Sequence, residues 1–106
     1  MAMKRPATIA DFKELVNQAI YEVDDLRAAV EFDEEFMEGA LNFVDILEEQ
    51  LKTLHRSIKD DSYVFVNEDL PFMAFVKEQS NLVLPFKGLL TLINSTHRRG
   101  LEKAED

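Results

Sequence analysis

Two apolar ladders with one rhythm constrain this chain more than any other feature. Phe12, Val16, Ala19, Val23, Leu26 and Val30 step by 4, 3, 4, 3, 4 residues, and Ala40, Val44, Leu47, Leu51, Leu54 and Ile58 repeat those steps. The alternation holds side chains on one stripe of an α-helix, so each segment has a single seam to bury, and two equal seams on a short polar link close face to face. The pattern predicts an antiparallel helical hairpin. Its first helix runs from Ile9 to Val30, with Thr8 as N-cap and Asp11 in the first turn near the positive helix end. Ile9, Leu15 and Ile20 widen the stripe, which implies more than one packing neighbour. The break between the helices rests on phase: a step of three from Val30 reaches Asp33, whereas the second ladder resumes at Met37 and Ala40. Asp33 as N-cap, with Glu34 and Glu35 in the first turn, fits a second helix that runs to Lys59.

Asp60, Asp61 and Ser62 end that helix. Residues 63–66 (Tyr-Val-Phe-Val) read as extended, because aromatic and β-branched residues cluster there without helical spacing. They form either a connector that packs Phe65 or Val66 onto the bundle or a strand that pairs with its copy in a dimer. An internal echo follows, Leu70-Pro71-Phe72 and Leu84-Pro85-Phe86, each with proline ahead of an apolar run. Proline suits a first helical turn, and Asp69 and Asn81 are candidate caps. Helices are expected over 70–79 and 84–99, or one kinked helix across both, since residues before Pro85 disfavour helix without forbidding it. His97, Arg98, Arg99 and then Gly100 supply the C-terminal chemistry of the last helix. The expected fold is an all-α, small antiparallel bundle of two long helices, a short one and a medium one. It forms one domain over 1–106, with flexible ends at 1–7 and 101–106.

Composition sets outer bounds. With 46% hydrophobic and 31% charged residues the chain can build a core, and with no cysteine it has neither disulfides nor thiolate chemistry. No stretch approaches the roughly 20 apolar residues of a membrane span, and Pro6 with a polar helix stands where a signal peptide carries its apolar region. A cytoplasmic protein is expected. The net charge of −9 is concentrated between Glu22 and Glu49, where eleven acidic residues face Arg27 alone. Phosphate backbones are repelled there and basic partners attracted, so direct nucleic-acid binding is not expected.

Carboxylate spacing is the one hint of chemistry. Glu22 and Asp25 lie three apart on the first helix, and Glu34, Glu35 and Glu38 share faces across the turn. Converging carboxylates bind Mg²⁺ or Mn²⁺. Glu34-Glu35-Phe36-Met37-Glu38 and Glu22-Val23-Asp24-Asp25 resemble the Glu-Glu-x-x-Glu and Glu-x-x-Asp sets of the all-α nucleoside-triphosphate pyrophosphatases, in an order reversed from that family's. The resemblance implies a magnesium-dependent pyrophosphatase with Glu22, Asp25, Glu35 and Glu38 as metal ligands. Other chemistries lack their residues. The positions three before His55 and His97 are Lys52 and Asn94, which removes Glu-x-x-His di-iron pairs, and the serines have no Gly-x-Ser-x-Gly setting.

Surfaces carry the main functional expectation. Phe36, Met37 and Phe43 form an apolar excess on the second helix, while Glu34, Glu35 and Glu38 make an acidic belt beside it. Tyr63, Phe65, Phe72, Phe75 and Met73 belong chiefly to the core, with any exposed remainder open to contact. The sequence thus points to a non-enzymatic interaction module without a cofactor, homodimeric, using Phe36, Met37 and Phe43 for contact and Glu34, Glu35 and Glu38 to steer a basic protein partner. The alternatives are the pyrophosphatase and an acidic mimic of nucleic acid.

Overall fold

The computed structural model describes residues 5–32, 40–79 and 84–101, and the fold is all-α. In chain order the elements are α1 (Ile9–Phe32), α2 (Ala40–Lys59), α3 (Met73–Val76) and α4 (Lys87–Arg99). The ladders behave as their spacing demands. Phe12, Val16, Ala19, Val23 and Leu26 from α1 and Val44, Leu47, Leu51, Leu54 and Ile58 from α2 are all buried in one core. Arg27, near the end of α1, bridges Asp45 and Glu48 near the start of α2, and Phe12, near the start of α1, meets Tyr63 just past the end of α2. The two helices are therefore antiparallel. The Arg27 bridge itself is a surface feature, since Asp45 stays largely in water, and such pairs contribute roughly 0–1 kcal/mol. Apolar burial along the ladders closes the hairpin.

Local chemistry sets the helix ends. The Thr8 hydroxyl accepts the Asp11 N–H at 3.0 Å, which satisfies one of the orphan donors of the first turn. α1 runs two residues past the expected Val30, to Phe32. The proposed cap Asp33 and first turn Glu34–Glu35 lie outside the described residues. α2 closes in a Schellman motif: the Ser62 N–H reaches the Ser57 carbonyl and the Asp61 N–H the Ile58 carbonyl, with Asp61 at φ 60° where glycine is more usual. Aspartate is among the few side chains that enter this region readily.

The connector over 63–66 is extended and packs on the bundle, and no strand occurs among the described residues. Tyr63 and Phe65 point inward and touch Phe12 with ring centroids 5.5 and 5.7 Å away; Val64 and Val66 point outward. Phe65 is thus the packing residue, and Val66 is not. α3 is shorter than the expected 70–79. The bonds around it run mostly from residue i+3 to i, from Met73 to Leu70 and from Ala74 to Pro71 at its start, and from Gln79 to Val76 at its end. The expected cap, Asp69, is committed elsewhere, so no side chain caps the turn. α4 starts at Lys87 rather than 84, because Leu84, Pro85 and Phe86 form a turn closed by the Lys87 N–H on the Leu84 carbonyl. Its end is as expected: Gly100 adopts φ 85° and its N–H bonds the Thr96 carbonyl. Leu101 packs against the core, as Leu15 and Ile20 also do, and the rest of the end expected to be flexible, 102–106, lies outside the described residues.

α1 is the shared wall of the bundle, packing against α2 on one side and α4 on another. This is the second neighbour that its widened stripe called for. α4 contributes Leu89, Leu90 and Ile93, and the Leu70–Val76 segment adds Leu70, Phe72, Met73 and Val76.

Candidate functional site

Most of the contact and steering residues expected from the sequence, Glu34, Glu35, Phe36, Met37 and Glu38, lie outside the described residues, as does the side chain of Phe43. Glu22 and Asp25 are described. They sit on α1 three residues apart, Glu22 half-buried and Asp25 exposed, and neither makes an ion pair among the described residues. Among those residues no three histidine, aspartate or glutamate side chains gather at metal-binding range.

A different feature stands out on α2. Its ladder faces α1, and the next face round presents Ile46, Glu49, Gln50, Thr53, Leu54 and Ser57 to a groove of about 470 Å³. Leu70, Pro71 and Phe72 form the opposite lip. Ile46 is 46% exposed, although most large apolar side chains of α2 are buried. The Gln50 Oε1 is buried without a hydrogen-bond partner among the described residues. A buried acceptor left unpaired costs about 1–3 kcal/mol, which makes Gln50 the costly point of the groove wall. No protein-family model, curated protein or solved structure matches the chain. Its function is therefore argued from the surface itself.

The lip is held rigidly from behind. The Asn94 side chain, buried on α4, accepts the Leu70 N–H at 2.7 Å and donates to Asp69 at 3.0 Å. Asp69 also accepts Lys77 at 2.8 Å and Arg98 at 3.3 Å, and Arg98 turns its Nε to Asn67 at 3.1 Å. The Lys77 hydrogen bond, followed by that of Asn94, holds the Asp69 carboxyl down to about 2, well below its ordinary value. Three side chains, Lys77 just past α3 and Asn94 and Arg98 on α4, thus converge on one carboxylate. On the outer side of this network lies a polar depression of about 340 Å³ bounded by Thr91, Ser95, Arg98 and Arg99. It sits at the C-terminal turns of α4, whose outward carbonyls oppose an anion, and Arg98 is already committed.

Sequence reasoning placed His97 only at a helix end. The structure pairs it with Tyr63: the tyrosine hydroxyl meets Nδ1 and the rings stack at a tilt, centroids 5.6 Å apart. Burial pushes the Tyr63 hydroxyl above its ordinary value and lowers that of His97, against a smaller opposing pull from Glu68. The fold therefore prefers neutral His97 accepting the tyrosine proton. As pH falls through 6.5, the ordinary histidine value, the unfolded chain takes up its proton first, so stability declines until the lowered folded value is passed. Denaturant midpoints measured from pH 8 to pH 5 are expected to fall at the acid end, and His97→Gln to flatten that part of the curve. An NMR titration that places His97 at or above 6.5 contradicts the assignment.

Proposed function

We propose that this chain is a non-enzymatic protein-interaction module of the cytoplasm, which binds its partner through the groove between α2 and the Leu70–Phe72 lip. The observation that carries this reading is the groove itself: mostly apolar in the surface it exposes, walled by Leu70, Pro71 and Phe72, and open at Ile46. A monomer rarely leaves an apolar groove with a rigid lip unless something seats in it. The acids of the first interhelical turn, Glu34, Glu35 and Glu38 among them, lie just before α2 in sequence and steer basic partners toward it. Self-association as a homodimer belongs to the same reading. For the pyrophosphatase alternative, only Glu22 and Asp25 of the four carboxylates are among the described residues, and both lie on α1.

Site-directed photo-crosslinking in cells tests the reading. Benzoylphenylalanine in place of Thr53, on the groove, is expected to give discrete adducts that disappear with Ile46→Glu, whereas the same probe in place of the exposed Tyr21 on α1 gives none of them. Identical adducts from both positions, or none from position 53, overturn it.

A further inference from the structure

We infer that the occupant of the α2 groove is a basic amphipathic helix of about three turns contributed by another protein, a deduction that rests on the interaction reading above. Three observations lead there. The first is length. Ile46 to Ser57 spans roughly 17 Å along α2, the rise of about three helical turns. The row narrows in a useful way, from the exposed Ile46 to the small hydroxyl side chains of Thr53 and Ser57, where a second helix can approach closely.

The second observation concerns the backbone. An extended peptide binds by adding its own N–H and C=O groups to open partners. This groove has no such row to offer. The backbone of α2 is bonded within its helix; the Leu70 N–H is held by Asn94, and the Leu70 and Pro71 carbonyls accept Met73 and Ala74. Proline has no N–H at all. A helix, whose backbone groups are satisfied internally, enters such a site without leaving them unpaired.

Charge is the third observation. Glu49 lines the groove and makes no ion pair among the described residues, whereas its neighbours Asp45 and Glu48 are committed to Arg27. With a net charge of −9 on the chain and the acids crowded before α2, the complementary occupant carries lysine or arginine beside its apolar stripe. Arg56 and Lys52, the latter 3.7 Å from Glu48, are the nearby cations of α2 and limit this preference to the Glu49 end.

The experiment is a selection of random 14-residue peptides, displayed on phage, against the intact protein, followed by fluorescence anisotropy and circular dichroism of the synthetic winners. The expected winners carry apolar residues at i, i+3 or i+4, and i+7 with at least one lysine or arginine, and they gain helicity on binding. Ile46→Glu should weaken them tenfold or more and Glu49→Lys three- to tenfold. Thr53→Arg, an exposed position, provides a second block of the groove, and thermal melts verify that each variant is folded. Winners that need the groove but are acidic, proline-rich or extended overturn this inference and leave the interaction reading standing. Winners indifferent to both Ile46→Glu and Thr53→Arg overturn the inference and the interaction reading together.

Discussion

Phe12→Ala is expected to remove about 3–5 kcal/mol of stability, the cost of a large cavity in a packed core. Phe12 is fully buried at the start of α1, and its ring is also the floor on which Tyr63 and Phe65 rest. Truncation therefore empties space between α1 and the connector at once, and neither neighbour can collapse into it, because Tyr63 is tied to His97 and Phe65 stands edge-on to Tyr63 at 5.0 Å. Against a total of about 5–15 kcal/mol for a domain of this kind, the loss is a large fraction. Thermal unfolding followed at 222 nm should shift down by roughly 15–30 °C. Phe65→Ala, at a half-buried ring, should cost visibly less. A Phe12→Ala loss below about 1 kcal/mol would contradict the packing described.

The second large effect is expected at Asn94. Asn94→Leu keeps the number and branching of the side-chain heavy atoms and removes both polar atoms, leaving the Leu70 N–H without its acceptor and Asp69 without one donor. An unpaired buried N–H costs about 1–3 kcal/mol, and the lost bond to a carboxylate adds to it, so a decline of about 2–4 kcal/mol in urea unfolding is expected. The replacement also separates hydrogen bonding from packing, which Asn94→Ala cannot do. Asn94→Asp retains the acceptor but sets a second carboxyl against Asp69, so its deficit should grow as pH rises above about 4, where the unfolded chain gives up the new carboxyl's proton and the folded one resists doing so. A fully stable Asn94→Leu protein would show that the lip is held by apolar contact alone.

Periodicity made the core legible. Every ladder position whose side chain is described is buried, because a 4, 3 alternation admits only one helical face. Capping at Thr8, the turn at Asp60–Ser62 and the stop at Gly100 were equally readable, since each depends on neighbours in sequence. The length of α3 was not. Asp69 has the composition of a cap, and nothing local reveals that Lys77, Asn94 and Arg98 claim it first. The Tyr63–His97 pair joins residues on separate segments, and the groove is made by α2 and a lip it does not adjoin in the chain. Such juxtapositions follow from the tertiary arrangement, which side-chain spacing does not encode. Ile46 and Gln50 did carry a readable trace, one turn apart on the face next to the ladder, but an apolar residue off the seam has many ordinary explanations. The expected contact and steering set at 34–38 lies outside the described residues and stays an expectation.

The Val66 N–H bonds the His97 carbonyl, and Leu70 hangs from Asn94, so two points of the middle of the chain are fastened to α4. α1 and α2 are separated by seven residues in sequence, while α4 must return to α1 across most of the chain, a slower search. Order of assembly follows from that. The closed hairpin alone leaves the connector and lip with nothing to fasten to, so the groove is complete only once α4 is docked.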